Sequence, residues 1–475
     1  NIVTIQPDSL RILHNPLTGW VLYASMGVDA ADFWAQYDHM YIPELGHNVS
    51  VTDYAHTLYI RASWTDFNPQ EDVYGWKIDS NLRAYIEGAY QRNMRLAFRV
   101  VVDSRDKRTE FTPQFVKDAG AKGFMNKGKW SPYSDDPVFQ KYYTKFVKAL
   151  AKDFNDPSKV EFIDGFGLGK WGEYHTMIYS TGDDTPKKAV FDWVTDIYSQ
   201  AFDKVPVVIN YHRWIGAGKD WVDDEHFAAD SEEMLEEAIK KGYSLRHDAF
   251  GMTTYYGSWE RRFAEKYRNI CPIIMEGGWI VKSHNYWQDP RGYRKDSHED
   301  VRRGEFDDSK EAHVNMMDFR FGDTESWFKD AFDLVRRFLR EGGYRLYPSE
   351  ISLPLEVSKK TTPTIKHCWN NLGWGYCPTN IPQWNQKYKV AFALLDSETN
   401  EVRYTFVDTD TDLSKWIKGS PVEYVFEPDM SKVETGTYVW AVDRSNKDLV
   451  GLDIAAKGDI LDSGWLKLSK VSINK

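Results

Sequence analysis

The chain has 475 residues, of which 60 are Lys or Arg and 71 are Asp or Glu, giving a formal net charge of −11. This charge argues against a general nucleic-acid binder and against binding to an anionic membrane surface, and the chain lacks the run of about 18 apolar residues that a membrane span needs. Aromatic residues make up 15% of the chain; most are expected in the core, but rings with polar edges also suit stacking on sugars.

Between about residues 20 and 345, short apolar runs alternate with longer amphipathic stretches. This pattern predicts parallel strands joined by crossover helices. Three- and four-residue spacing of apolar side chains predicts helices at 79–93, 138–154 and 231–242. The predicted strands are 19–24, 56–64, 94–102, 160–169, 205–212, 248–256, 271–278 and 313–320. Eight strands are what a closed (β/α)8 TIM barrel requires, so we assign residues 1–347 to a catalytic α/β barrel.

The seventh predicted strand is followed by a polar segment, 282–309, in which no helical stripe is evident. Loops of this length over a barrel mouth usually build a binding site. Its cations suit carboxylated or sulfated sugars. Acidic residues share the segment, however, and a self-neutralising solvated surface is the favoured interpretation. The cations are Arg291, Arg294, Lys295, Arg302 and Arg303.

Beyond Pro348 the chain changes to short runs in which apolar and polar residues alternate. The runs at 387–395, 401–407, 437–443 and 465–473 predict an antiparallel β-sandwich, which we assign to residues 348–475 as an accessory domain. Trp369 and Trp374 are expected to be buried there, with an exposed stacking platform as the alternative.

Three cysteines are present. Cys271 opens an apolar strand and is expected to be a buried thiol. Cys368 and Cys377 flank a loop rich in Trp and Gly, and both a disulfide and two free thiols fit their spacing. The spacing does not fit a structural zinc site.

Two apolar runs each end in a glutamate surrounded by glycine and tryptophan. Glu173 follows the fourth predicted strand, and Glu276 ends the seventh. Barrel enzymes keep their chemistry where strands open into loops, so we predict an acid and a nucleophile. Trp171 and Tyr174 are expected to hold Glu173 in a partly apolar setting that raises its pKa, as a general acid needs. The structural alternative is a strand-end glutamate paired with a Lys or Arg.

Other side chains at or beyond strand ends are placed to bind substrate. Polar groups that can meet sugar hydroxyls are Arg99, His175, Asn210 and His212, each of which also fits an ordinary structural role. Aromatic rings that can stack on sugars are Trp64, Trp171 and Trp279.

An acid after strand four and a nucleophile ending strand seven resemble the layout of the largest clan of retaining (β/α)8 glycoside hydrolases. The segment 61–76 also resembles the second strand and loop of the β-galactosidase-like members. More narrowly, the segments 15–20, 169–175 and 369–378 resemble an uncharacterised family of secreted bacterial glycosidases that carry a C-terminal β-sandwich.

The clan resemblance implies further roles. An arginine on strand two and a tyrosine on strand six steady the nucleophile in the clan, and Arg61 with Tyr255 or Tyr256 occupy the matching predicted positions. Most of the clan has Asn immediately before the acid, where it binds the sugar 2-hydroxyl. This chain has Gly172 there, so another group takes that contact or the substrate lacks it.

These observations lead to one hypothesis with alternatives. The chain is expected to be a retaining glycoside hydrolase that cleaves a β-linked oligo- or polysaccharide, with Glu173 as acid and base and Glu276 as nucleophile. This chemistry needs no metal or organic cofactor. A non-catalytic carbohydrate-binding protein and a transglycosylase or lyase are the alternatives. The chain starts at Asn1 rather than Met, and a secreted, periplasmic or cell-surface protein without its signal peptide is expected.

Overall fold

A computed structural model describes residues 1–218, 225–252, 255–278, 298–445 and 452–475. The chain divides into two compact units. One is Trp20–Val335, and the other combines Asn1–Gly19 with Arg336–Lys475. Residues 1–19, expected in the barrel from the sequence, are part of the second unit. In the described part of the chain, no helix has both the length and the apolar character needed to cross a membrane.

The unit Trp20–Val335 contains a closed eight-stranded barrel, which confirms the predicted fold class. Neighbouring strands are parallel wherever their register is defined. They follow chain order around the barrel, and their side chains are almost all buried. Barrel strands 1 to 8 are Gly19–Tyr23, Ala55–Ser63, Arg95–Val101, Val160–Asp164, Val207–Asn210, Tyr243–Phe250, Ile273–Gly277 and Met316–Asp318.

Helices connect the strands, and their starts follow local sequence. Asp79 accepts a hydrogen bond from the Leu82 amide, and Asp136 caps the helix whose first residue is Pro137. The α-helices are Ala30–Asp38, Trp64–Phe67, Gly75–Ile78, Ser80–Gln91, Gln114–Asp118, Pro137–Phe154, Lys187–Ala201, Glu225–Lys240, Ser258–Tyr267, His298–Glu311, Arg320–Asp330 and Phe332–Glu341. The 3₁₀ turns are Val51–Asp53, Lys170–Gly172 and Leu413–Lys415, and two small hairpins pair Met40–Ile42 with His47–Val49 and Gly123–Asn126 with Lys129–Pro132.

Two predictions about the barrel need correction. Barrel strand 6 begins at Tyr243, five residues before the predicted start, because Tyr243–Phe250 pairs in parallel with strands 5 and 7 and the chain then turns at Gly251, whose φ is +77°. The segment 282–309 is not wholly irregular, since the helix His298–Glu311 occupies its second part. Residues 282–297, including Arg291, Arg294 and Lys295, lie outside the described residues.

The second unit is built from two sheets. The first contains Ile2–Thr4, Leu346–Ser352, Ile365–Asn371 and Val422–Phe426, and the second contains Glu356–Ser358, Leu466–Asn474, Gly436–Ser445, Lys389–Asp396 and Val402–Asp408. All pairs are antiparallel except Glu356–Ser358 with Leu466–Asn474. Phe392 of the second sheet stacks on Phe426 of the first, with ring centres 6.0 Å apart. The predicted β-sandwich is therefore confirmed.

Cys377 of the sandwich is buried, and Cys368 is half-buried. Trp369 and Trp374 are both buried, as expected, and Trp369 stacks on Trp416 at 4.8 Å. Cys368 and Cys377 are free thiols. Cys271 is a free, buried thiol, as expected.

Candidate active site

Glu276 lies near the end of barrel strand 7, in the buried run Ile273–Gly277. Its side chain is only 1% exposed. Oε2 accepts hydrogen bonds from Arg99 at 2.8 Å and Arg246 at 3.2 Å. Oε1 accepts one from the Tyr23 hydroxyl at 3.3 Å and lies 3.6 Å from Arg61. Burial alone would raise the pKa of the Glu276 carboxyl, but the cations of Arg99, Arg246 and Arg61 lower it to about 2. Glu276 is therefore an anion at neutral pH.

The two arginines beneath Glu276 are themselves paired with aspartates. Arg99 Nε lies 2.9 Å from Asp164, and Arg246 Nη2 lies 2.9 Å from Asp318. All four side chains are fully buried. Burial raises the pKa of Asp318 to about 6, even though Arg246 opposes that shift. Arg61, Arg99 and Arg246 supply three positive charges, and Glu276, Asp164 and Asp318 supply three carboxylates. Because the charges are matched, they can be buried together in the barrel core.

Glu173 is presented by an irregular loop after barrel strand 4. Three non-glycine residues around it have left-handed backbone conformations: Trp171 at φ +59°, Tyr174 at +62° and Thr176 at +51°. Such conformations are sparsely populated and persist where the surrounding structure holds them. The amide of Tyr174 donates to the Leu168 carbonyl at 2.9 Å, and Arg61 Nη2 donates to the Trp171 carbonyl at 2.8 Å. Arg61 thus contacts both the Glu173 loop and Glu276.

A second carboxyl group lies against Glu173. The side chains of Glu173 and Asp248 are joined by a hydrogen bond, and His175 Nε2 lies 3.5 Å from Glu173 Oε2. Burial and the neighbouring Glu173 charge raise the pKa of Asp248 well above its usual range. Burial also acts to raise the pKa of Glu173, but the hydrogen bonds from Asp248 and His175 outweigh it and hold that pKa well below its usual range. The pKa of Glu173 is therefore lowered, whereas the sequence predicted a raised pKa.

Several other predicted residues lie in this cluster. His212 Nε2 lies 2.7 Å from the Glu173 carbonyl oxygen, and burial lowers the pKa of His212 to about 3. Asn210 Oδ1 accepts from Arg99 at 3.4 Å. The Trp171 ring lies 5.7 Å from His175.

Trp64 and Tyr256, two of the other aromatic residues predicted to bind substrate, make different contacts. Trp64 is fully buried, with its ring packed 5.2 Å from Tyr143, so it has no face for a sugar and belongs to the core. Tyr256 is buried and hydrogen-bonds the Tyr211 hydroxyl at 2.7 Å, rather than Glu276. Tyr255 follows the end of strand 6 by five residues. The sequence predicted both tyrosines on strand 6, but that strand ends at Phe250; a role for Tyr255 beside Glu276 stays a prediction. Trp279 lies outside the described residues.

Sequence reasoning missed Tyr23, Arg246, Asp248, Asp164 and Asp318. A signal for two of them was present: Ser244, Arg246 and Asp248 occur at every second position of the strand Tyr243–Phe250, which is the period expected for side chains that share one face. Tyr23 ends strand 1 and supplies the hydroxyl that the clan resemblance had assigned to strand 6.

Gly172, where most of the resembled clan has Asn, has φ +75°. A Cβ atom there would lie 3.3 Å from both Arg99 Cδ and Val101 Cγ2. The glycine therefore permits close packing of the Glu173 loop on barrel strand 3, and a larger side chain would need both neighbours to shift.

No family model matches the chain, and no curated protein matches its sequence. Among solved structures, it resembles the endo-β-1,4-mannanase from Thermotoga petrophila at 13% identity, with a TM-score of 0.42 and coverage of 97% of this chain and 99% of that one. It also resembles endo-glycoceramidase II from Rhodococcus sp. at 12% identity and a TM-score of 0.41, covering 90% and 99% of the two chains. A trimodular GH5_4 endoglucanase gives 10% identity and 0.37, covering 90% and 71%.

Proposed function

We propose that the protein is a retaining glycoside hydrolase that cleaves a β-linked oligo- or polysaccharide through a glycosyl-enzyme intermediate. The observation that carries this proposal is the unequal environment of the two Glu276 oxygens. Oε2 is anchored by Arg99 and Arg246 at 2.8 and 3.2 Å, whereas the partners of Oε1 lie at 3.3 and 3.6 Å. One oxygen thus orients an ionised carboxylate while the more loosely held oxygen attacks the anomeric carbon.

Glu173 supplies the complementary acid and base chemistry. Arg61 contacts both Glu276 and the loop that carries Glu173, so the two carboxyl groups share one end of the barrel. A retaining mechanism requires a separation of about 5 to 5.5 Å between them, and an inverting one about 6.5 to 9.5 Å. We therefore predict that the Glu173 and Glu276 carboxyl groups lie about 5 to 5.5 Å apart in a substrate complex. Because a polysaccharide does not cross a membrane, we further propose that the protein acts outside the cytoplasm.

The test is a panel of aryl β-glycosides and natural β-glycans, with the Glu276→Ala variant and the exposed control Glu87→Ala. The wild type should release new reducing ends, and Glu87→Ala should match it. Glu276→Ala should lose turnover, because it lacks the covalent path. Added azide should restore turnover on an activated aryl glycoside and give the inverted glycosyl azide.

Other outcomes select the alternatives. Glycan binding without any new reducing end would indicate a carbohydrate-binding protein on an inactive barrel. Products whose masses show that no water was added would indicate a lyase. Products longer than the substrate would indicate a transglycosylase. If azide rescues nothing while the wild type hydrolyses glycans, Glu276 is not the nucleophile.

A further inference from the structure

His212 follows barrel strand 5 by two residues, and the protein uses both nitrogens of its ring. Nδ1 lies 3.1 Å from the amide nitrogen of Trp214, and Nε2 lies 2.7 Å from the carbonyl oxygen of Glu173. An amide N–H can only donate, so Nδ1 is an acceptor and the ring proton is on Nε2. The carbonyl oxygen accepts the hydrogen bond from that proton. The two backbone groups thus fix one neutral tautomer of His212.

This arrangement leaves His212 no free nitrogen for a sugar hydroxyl. The residue is 4% exposed. Its ring packs against those of His175 and Trp214, whose centres are 5.6 and 6.2 Å away. A neutral imidazole has one donor and one acceptor, and the protein satisfies both. A role within the protein therefore fits this geometry better than the contact with sugar hydroxyls that the sequence predicted.

Two successive carbonyl groups of the Glu173 loop accept hydrogen bonds from the segment that follows strand 5. His212 donates to the carbonyl of Glu173, and the Gly216 amide donates to that of Tyr174 at 2.8 Å. Tyr174 has φ +62°, a conformation that persists where the surrounding structure holds it. Because Gly216 bonds through its backbone, His212 is the member of this pair whose contact a side-chain substitution can remove.

We propose that His212 is a positioning residue for the acid: its Nε2–H group fixes the backbone of Glu173, and with it the direction of the Glu173 carboxyl, without touching the substrate. This proposal rests on the proposed function. In the first step Glu276 bonds to the anomeric carbon, the glycosidic C–O bond breaks, and Glu173 gives its proton to the departing oxygen. A displaced Glu173 weakens that proton transfer but leaves the attack by Glu276 in place.

The fixed tautomer can be tested without substrate. Protein labelled with ¹⁵N in the histidine rings is titrated by NMR from about pH 5 to 8, and the His212 signals are those lost in His212→Gln and retained in the control His226→Gln. His212 should stay neutral with its proton on Nε2, because burial lowers its pKa to about 3. A ring that titrates in this range, or that carries its proton on Nδ1, overturns the proposal. The ionisable groups around the ring are Glu173, His175, Arg213 and His247.

Kinetics test the positioning role with two substitutions. His212→Gln keeps an N–H group that can donate to the Glu173 carbonyl, whereas His212→Leu has similar bulk and no donor. On the 4-nitrophenyl glycoside that the wild type cleaves best, kcat/KM should fall at least about tenfold in His212→Leu and less than about threefold in His212→Gln. On the 2,4-dinitrophenyl analogue, whose leaving group needs no proton, His212→Leu should lose less than about threefold. His226→Leu, which replaces a side chain that is 80% exposed, should match the wild type.

A further measurement separates positioning from sugar binding. The inhibition constant of the free sugar that the wild type releases should change less than about twofold in His212→Leu, because His212 does not touch it. A large rise in that constant, equal losses on both leaving groups, or equal losses in both His212 variants at a temperature where they are folded overturns the proposal. If the wild type cleaves no glycoside, the proposed function fails, and the NMR titration still decides whether His212 is held in this tautomer.

Discussion

Arg246 is the residue on which the buried charge balance of the site depends most directly. Its guanidinium lies 3.2 Å from Glu276, 2.9 Å from Asp318 and 3.9 Å from Asp164. It also lies 4.3 Å from the centre of the Tyr59 ring. A buried pair is not in itself evidence of stability, but removing one partner leaves a charge that water cannot reach.

Arg246→Met should therefore lower the free energy of unfolding by about 3 to 5 kcal/mol at pH 7. The exposed pair Arg83–Glu87, 3.7 Å apart, offers a matched control, and Arg83→Met should cost less than about 0.5 kcal/mol. Denaturant unfolding measures both. The difference between wild type and Arg246→Met should narrow as the pH falls from about 4.5 to about 2, because the wild type then loses the stability contributed by ionised Glu276. A loss similar to that of the control would contradict the charge balance.

Among single residues, the sequence predicted those whose residue type and position on a predicted strand both indicated a functional site. Glu173 and Glu276 ended apolar runs, and Arg61 and Arg99 lay on well-predicted strands. Asp248 was missed as a partner of Glu173 because the contact joins residues 75 positions apart in sequence, and no local pattern reports such a contact. The direction of the Glu173 pKa shift depended on that unseen carboxyl.

At the scale of elements, the loop between barrel strand 4 and Glu173 is held in an unusual backbone path. Gly167 has φ +74°, and a Cβ atom there would lie 2.1 Å from the Val100 carbonyl oxygen. Gly182 has nearly the same φ, +73°, but a Cβ atom there would have no neighbour within 4 Å. Replacing each glycine in turn therefore distinguishes the free-energy cost of the backbone conformation from the cost of a steric clash.

Gly182→Ala should cost only the conformational penalty, about 1 to 2 kcal/mol. Gly167→Ala adds a steric clash with the backbone of barrel strand 3, so it should cost at least about 3 kcal/mol and displace the Glu173 loop. Thermal unfolding measures the loss of stability in each variant. Displacement of the Glu173 loop is measured by glycoside turnover, which should be lost in Gly167→Ala alone at a temperature where both variants are folded. Equal behaviour of the two variants would mean that the loop adapts.

Element boundaries mark where the sequence patterns were insufficient. The helix Pro137–Phe154 was predicted to within one residue because an N-cap, a first-turn proline and a long apolar stripe coincide. The helix His298–Glu311 was missed because its buried side includes charged side chains, such as Arg302, which pairs with Glu305 at 2.9 Å and with Asp323 at 3.2 Å. A helix that buries ion pairs lacks the apolar stripe from which helices are predicted.

At the scale of the whole molecule, the chain enters the β-sandwich unit before it enters the barrel. The strand Ile2–Thr4 pairs with Leu346–Ser352, in the register Ile2 with Ser352 and Thr4 with Glu350. No sequence pattern of three residues could have predicted a partner about 350 positions away. The N-terminal residues therefore belong to the unit whose other strands come last in the chain.

This pairing predicts the effect of removing residues 1–4. The Leu353 amide donates to the Asn1 carbonyl at 2.8 Å, so the deletion leaves it without that acceptor and makes Leu346–Ser352 an edge strand. Hydrogen exchange at Leu353 should accelerate at least tenfold, whereas Lys389–Asp396, paired on both sides in the other sheet, should keep its protection. Ile2→Ala provides the control, because the Ile2 side chain is 62% exposed and its backbone pairing is retained. Unchanged exchange at Leu353 after the deletion would show that the N-terminal strand does not protect this sheet in solution.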